Sequence, residues 1–167
     1  MAATVELRCF TGTNAGTESG AITGIDFISA DNATNSLANR TANPITIPDA
    51  GTNYSFEKWL KLRIIVAPAN SISNIKFWTD GGFATGTGVK YGTTATGATP
   101  VQTASTKATT DASTATSAAK ATWDSGSYTT TGLIASFLVL QLNVTTTAAQ
   151  GNWNGSGETF YYSYDEM

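Results

Sequence analysis

The sequence predicts an all-β protein, a single-domain β-sandwich of about eight or nine antiparallel strands of jelly-roll or Greek-key type with one long Ala/Thr/Ser-rich loop. Three observations lead to this prediction. Apolar and polar residues alternate along several short segments, which is the period of a half-buried strand. Thirty of the 167 residues are Thr, whose β-branched side chain suits a pleated surface. Gly, Asn and Pro residues separate the segments, and no convincing amphipathic helix pattern lies between them.

Three short alternating segments come first. The run TVELRCF at 4–10 places Val5, Leu7 and Cys9 on one face, so the sole cysteine is expected to behave as a small core residue. GIDFIS at 24–29 repeats the alternation more briefly. ITIP at 45–48 is a third candidate, which the prolines restrict to a sheet edge or a strand end.

The clearest long strand is YSFEKWLKLRIIVA at 54–67. Its alternation predicts one apolar face and a second face that carries charges and one tryptophan. The first face holds Tyr54, Phe56, Leu60, Leu62, Ile64 and Val66, and the second holds Glu57, Trp59, Lys61 and Arg63.

The next segment, NIKFWTDGG at 74–82, is expected to form an antiparallel hairpin with this long strand. Its alternation directs Ile75 and Phe77 inward and leaves Trp78 on the outer face. Since Trp59 also lies on the less apolar face of its strand, the hairpin would allow the two tryptophans to stack across the strands.

Three further segments complete the predicted sheets. They are GVKYG at 88–92, SFLVLQLNV at 136–144 and the aromatic ending ETFYYSYDE at 158–166. The second of them is apolar on both faces, which predicts a central, fully buried strand. Its main face holds Leu138, Leu140, Leu142 and Val144, and its other face holds Phe137 and Val139.

Residues 84–127 are predicted to form an extended loop or arm, because Ala, Thr and Ser dominate them and a loop of that length is uncommon. Such residues bury too little apolar area to offset the ordering entropy of roughly 1–2 kcal/mol per residue. Contacts from elsewhere must therefore order the segment. Three arrangements are open: packing on its own domain through Tyr91, Val101 and Trp123, a short helix capped by Asp111, or an arm draped over a neighbouring subunit, which we favour.

Charge and composition exclude several classes of partner. The net charge is −3, the sequence pI is about 4.7, and Lys and Arg are scattered singly, so no basic stripe for nucleic acid is present. No apolar run reaches the length of a membrane span, and the N-terminal residues lack a secretion-signal pattern. These residues indicate synthesis in a cytoplasm, or a mature chain whose leader was already removed, and we expect neither nucleic acid nor a membrane as a partner.

The sequence predicts no enzyme, no cofactor and no metal. His is absent, which removes the usual nucleophilic triads and zinc sites, and no phosphate-binding glycine motif occurs. The acidic residues Asp80, Asp124 and Glu158 are interpreted as turn and strand-edge carboxylates rather than a glycosidase pair. Calcium binding by Asp31, Asn32 and Asn35, or by the terminal Asp165 and Glu166, is chemically possible, but turn-forming hydrogen bonds explain the first group better.

The aromatic residues supply the candidate interaction surface. Trp59 and Trp78 favour cross-strand packing under a loop or at a subunit contact, with stacking on a glycan as the alternative. The full candidate set is Trp59, Trp78, Tyr91, Trp123 and Trp153.

Three pieces of the chain resemble small β-rich structural proteins of tailed-bacteriophage virions, especially head decoration or auxiliary capsid proteins. They are SISNIKFWTDGG at 71–82, FLVLQLNVTTTAAQGNW at 137–153 and TFYYSYDEM at 159–167. The resemblance implies a non-enzymatic protein on the surface of the virion that stabilises the head shell. Its implied partners are other copies of itself, as a dimer or trimer, and the major capsid protein.

Two other functions are compatible with the same residues. A carbohydrate-binding module or adhesin-like domain would present exposed coplanar aromatic rings with polar neighbours. A phage tail structural protein would instead assemble into rings.

Overall fold

A computed structural model describes residues 2–150 and 159–167, and the predicted all-β sandwich is confirmed there. The described residues contain eleven strands, somewhat more than expected. One α-helix and two 3₁₀ turns, Thr13–Ala15 and Ala112–Thr114, accompany them. The strands are β1 (Thr4–Thr11), β2 (Thr17–Ile22), β3 (Thr52–Tyr54), β4 (Lys58–Val66), β5 (Ile72–Thr79), β6 (Thr87–Thr94), β7 (Thr110–Asp111), β8 (Ala121–Asp124), β9 (Gly132–Leu133), β10 (Phe137–Thr145) and β11 (Phe160–Glu166), and the helix is α1 (Leu37–Ala42).

The larger sheet has eight strands in the order β2-β1-β4-β10-β6-β7, with β3 beside β10 and β9 beside β4. Strand β10 is central, since it pairs with β4 on one side and with β6 on the other. This confirms the position predicted from its two apolar faces. The smaller sheet has three antiparallel strands in the order β11-β5-β8.

The main core lies between the two sheets. Its large-sheet wall is formed by alternate residues of β4 and β10, and its small-sheet wall by β5 and β8. Cys9 lies among these residues and is buried, as predicted. The buried members of this core that the two sheets contribute include Leu60, Leu62, Leu138, Leu140, Leu142, Val144, Ile75, Phe77 and Trp123.

The predicted long strand at 54–67 is interrupted between β3 and β4. Backbone N–H groups in the gap donate in three directions: Ser55 to Leu142, Phe56 to Ile28 and Glu57 to Val101. Because the three acceptors belong to different segments, no single strand ladder accommodates all three bonds. The apolar and polar residues therefore continue to alternate through this gap, but the strand pairing stops there.

The hairpin predicted between the long strand and 74–82 is wrong. Strand β4 belongs to the larger sheet and β5 to the smaller one. The connection at 67–71 contains Pro68, which has no backbone N–H for a ladder, and carries the chain from one sheet to the other. The predicted inward direction of Ile75 and Phe77 is nevertheless confirmed, because both are buried.

Two of the early strand predictions are also wrong, since residues 24–29 and 45–48 belong to no strand. Side chains hold these segments instead. The Asp26 carboxylate accepts from the backbone N–H of Ser36 at 2.9 Å and from Arg40 at 2.7 Å. Asn53 Nδ2 donates to the Thr46 carbonyl at 2.9 Å. The Ser36 side chain also caps α1 by accepting from the backbone N–H of Asn39.

Residues 84–127 are not one loop. They contain β6, β7, β8 and the 3₁₀ turn at Ala112–Thr114. The part without regular structure before β7 is 95–109, which we name the covering loop. The Asp111 side chain accepts from the backbone N–H of Ser113 and so caps the 3₁₀ turn, which is a shorter version of the predicted capped helix.

Candidate interaction surface

The five predicted aromatic residues do not form one surface. Trp59 and Trp123 are buried and so do not belong to an interaction surface, although burial of Trp59 under a loop is the packing that the sequence favoured for it. Tyr91 is half-buried and packs against Phe77 with ring centroids 5.4 Å apart. Trp153 lies outside the described residues. Of the four members that the structure describes, only Trp78 lies on an outer sheet face, where aromatic and charged groups are its neighbours.

Trp59 is buried because the larger sheet has a second apolar cluster on the face that points away from the smaller sheet. Phe137 packs edge-on against Trp59 with centroids 5.2 Å apart, and Phe10 packs edge-on against Phe137 at 5.3 Å. Ala98 and Ala108 of the covering loop complete this cluster. The Ala-rich loop therefore seals an apolar patch that would otherwise face water.

Two buried polar side chains attach the covering loop to the sheet. Gln141 Nε2 donates to the carbonyls of Ser55 at 2.9 Å and Thr103 at 2.8 Å, while its Oε1 accepts from the backbone N–H of Ser105 at 2.8 Å. Glu57 accepts from Trp59 Nε1 at 2.9 Å and from the Ser105 hydroxyl. These bonds explain how a stretch with few large apolar residues is ordered.

The covering loop thus lies against its own domain rather than extending as an arm. Tyr91 and Trp123, two of the residues predicted to anchor the segment 84–127 on its own domain, pack in the core between the sheets. Val101 contributes through its backbone, whose carbonyl accepts from Glu57 N–H at 3.0 Å. Gly92 lets the loop pass closely over β6, since a Cβ there would lie 1.9 Å from the Lys107 carbonyl oxygen.

The outer face of the smaller sheet carries a row of three side chains, one from each strand or its start, which we name the aromatic row: Tyr161, Trp78 and Lys120. The rings of Trp78 and Tyr161 stack with centroids 5.3 Å apart and planes 11° apart. The Lys120 ammonium lies 4.1 Å from the centre of the Trp78 ring. Because β5 is the middle strand, Trp78 lies between the other two members of the row. The ring of Tyr161, which is 40% exposed, is more exposed than that of Trp78.

Polar side chains continue this outer face along the strands. Lys76 Nζ donates to the Thr122 hydroxyl at 2.9 Å, and Asn74 Nδ2 donates to the Asp165 carboxylate at 2.8 Å. Ser163 lies opposite Lys76 in the ladder. The face therefore combines aromatic, hydroxyl and cationic groups, a combination that suits a protein surface or a sugar.

A groove of about 960 Å³, lined by both apolar and polar residues, opens beside β11. Leu7, Leu142 and Val144 of the larger sheet and Phe160 of β11 line it, together with apolar residues of the segments at 24–28 and 44–47. The Arg40–Asp26 ion pair, 2.7 Å between Nη1 and Oδ1, also contributes to its lining.

The buried acidic residue Asp124 is used for structure. Its carboxylate accepts from the backbone N–H groups of Gly126 at 2.7 Å and Ser136 at 2.6 Å and from the Tyr128 hydroxyl at 2.9 Å. Burial by itself raises the pKa of Asp124, but these hydrogen bonds outweigh it and hold the pKa below its ordinary value. A carboxylate fully engaged in this way fits a structural turn better than proton transfer.

Two other buried ionisable groups lie close to each other in the core. Burial raises the pKa of the Cys9 thiol to about 11 and lowers the pKa of the Lys58 ammonium. Lys58 Nζ donates to the Asn32 carbonyl at 2.8 Å. The Asn32 side chain accepts from the Thr34 N–H at 2.7 Å, which is the turn-forming bond predicted for it.

In the described ranges, no three or more His, Cys, Asp or Glu side chains are grouped so that they could hold a metal ion. The helical segments of that same part of the chain are too short and too polar to cross a membrane.

Comparisons of the chain with protein-family models, with curated proteins and with solved structures find no match in any of the three.

Proposed function

We propose that the chain is a non-enzymatic structural protein of a phage virion, a decoration protein that binds the outside of the head shell and stabilises it. The proposal begins from the three segments that resemble such proteins. They contain β5, β10 and β11, so two of the three meet as neighbouring strands of the smaller sheet. In this proposal the major capsid protein is the partner, and the virion surface is the location.

The observation that carries the proposal is the outer face of β5 and β11. The Trp78–Tyr161 stack and the hydroxyl and lysine groups beside it form an aromatic and cationic patch on one face of the smaller sheet. Tryptophan and tyrosine are enriched among the residues that contribute most of the binding energy of protein interfaces. The proposed contact with the shell is therefore the aromatic row and the polar residues that flank it.

Co-sedimentation of the purified protein with shells of the major capsid protein from the same virus tests this assignment. We expect stoichiometric binding, and we expect Trp78→Ala to weaken it by about 30-fold, since a central aromatic contact is worth about 2 kcal/mol. Leu37→Ala is the matched control, because Leu37 is 60% exposed on α1, outside the smaller sheet. Shell binding that is absent, or that Trp78→Ala and Leu37→Ala reduce equally, would contradict the proposal.

Glycan binding is the second candidate, and the partly exposed Tyr161 ring favours it. Sugars stack on an open aromatic face, and Lys76, Thr122 and Ser163 would supply hydrogen bonds nearby. Titration with a panel of host-surface glycans separates the two functions, with the change in intrinsic tryptophan fluorescence compared between the wild type and Trp78→Phe. Saturable binding that Tyr161→Ala abolishes, without any binding to shells, would favour the glycan function.

A further inference from the structure

Strand β11 is an edge strand without the features that usually protect one. Exposed edges in proteins are blunted by bulges, by short length, or by proline and charged residues. The other terminal strands have such features: β2 pairs with β1 through a register shift, β7 has two residues and β8 has four. The first five residues of β11, FYYSY at 160–164, include no charge, proline or glycine.

The hydrogen-bond pattern identifies which backbone groups point outward from this edge. Asp80 N–H donates to the Thr159 carbonyl, so Thr159 faces β5, and by alternation Tyr161 and Ser163 face it as well. The N–H and C=O groups of Phe160, Tyr162 and Tyr164 consequently point away from β5. No other strand in the described part of the chain pairs with them.

Strand β11 itself stays regular along its length. The register shift in its pairing lies between Ser163–Lys76 and Asp165–Ser73, which places the extra residue in β5. Asn74, within that shift, has φ 51, a left-handed conformation typical of a bulge. The outer edge of β11 therefore retains the geometry that a further strand requires.

We propose that two copies of the chain pair antiparallel through this edge, joining their smaller sheets into one continuous six-stranded sheet. The outward-pointing groups at 160, 162 and 164 fix the register. Tyr162 faces Tyr162 of the second copy at the two-fold axis, and Phe160 faces Tyr164, which gives roughly six backbone hydrogen bonds. On the outer face Tyr161 lies opposite Ser163, and Asp165 lies opposite Thr159.

The exposure of the tyrosines agrees with this pairing. Tyr161 and Tyr162 point to opposite faces of β11, yet they are 40% and 37% exposed. A neighbouring strand would cover part of both, and cross-strand aromatic pairs stabilise antiparallel sheets. The pairing concerns the purified chain alone, so it holds or fails independently of binding to a capsid shell or to a glycan.

The two-fold axis at Tyr162 allows a charge-reversal experiment, with mass measured by light scattering after size-exclusion chromatography. The wild type is expected to be a dimer. Tyr162→Lys and Tyr162→Glu would each remove the tyrosine pair and place like charges opposite each other, which should weaken dimerisation by roughly 2- to 30-fold. Mixing the two variants should restore a dimer, because a lysine then faces a glutamate. Ile65→Lys, at a side chain 40% exposed on β4, is the control that should leave the dimer intact.

Cross-linking gives a second test that does not depend on a charged substitution being tolerated. Directly opposed residues in a hydrogen-bonded pair have Cα atoms about 5.5 Å apart, within the range of a disulfide. Tyr162→Cys should therefore form a dimer under mild oxidation, whereas Tyr161→Cys should not, since residue 161 lies opposite 163. The buried Cys9 does not compete. A monomeric or trimeric wild type, or equal cross-linking of the two variants, would overturn the proposed pairing.

Discussion

Replacing Gln141 by Leu tests whether polar anchors, rather than apolar burial alone, hold the covering loop in place. Gln141 is buried in the central strand β10, and its amide bonds with Ser55, Thr103 and Ser105 across the interface between sheet and loop. Leucine has a similar volume and keeps the packing, but it can make none of these bonds.

The size of the effect follows from those bonds. Three well-placed hydrogen bonds contribute about 0.5–1.5 kcal/mol each, and the buried Ser55 carbonyl would lose its amide donor. The apolar surface of leucine offsets part of this loss. We therefore expect the free energy of unfolding to fall by about 2–4 kcal/mol, which lowers the Tm by roughly 4–16 °C for a chain of this size.

Urea unfolding and amide hydrogen exchange measure the two consequences of Gln141→Leu. If the covering loop opens locally, the loss of about 2–4 kcal/mol raises its opening equilibrium constant by roughly 30- to 900-fold. Exchange of the Ser105 amide hydrogen should accelerate by the same factor. Gln102→Leu is the matched control, because Gln102 lies in the same loop and is exposed. Should Gln141→Leu behave like Gln102→Leu in both measurements, the amide network does not hold the loop.

Three further predictions concern single groups. Hydrogen bonds lower the pKa of Asp124 in the fold, so its contribution to stability is present above about pH 4, the unfolded value, and disappears as pH falls through the folded value. Acid unfolding curves should therefore be flatter below pH 4 for Asp124→Asn, which is about 2–3 kcal/mol less stable at pH 7. Burial raises the pKa of Cys9 to about 11, so the contribution of the neutral thiol to stability is full below about pH 9 and is lost as pH rises towards 11. Cys9→Val should therefore lose less stability at alkaline pH than the wild type. The native thiol should react with a disulfide reagent only upon unfolding. Gly92→Ala should displace the covering loop, because the new Cβ would collide with the Lys107 carbonyl. Limited proteolysis between 98 and 109 should therefore be faster than in Gly20→Ala, the control, in which no atom lies within 4 Å of the new Cβ.

The sequence alone determined the fold class and the direction of most strand side chains. Alternation is a local property that follows from the two-residue period of a strand, so it correctly predicted that Ile75 and Phe77 point inward. The two apolar faces of 136–144 likewise predicted a central strand buried on both sides. The candidate surface was predicted less well, with Trp78 as the one member of the set in the aromatic row.

The tertiary structure decided which strands share a sheet and what covers each face. A pattern of period two does not specify its partner, so β4 and β5 could be read as a hairpin although they lie in different sheets. The sequence favoured packing of Trp59 under a loop or at a subunit contact, but only the fold shows that the cover is a loop about forty residues further along the chain. That loop binds through Glu57 and Gln141, whose hydrogen bonds join segments far apart in sequence. Such long-range contacts form only when the sheet is assembled, because each requires its partner to be already in place.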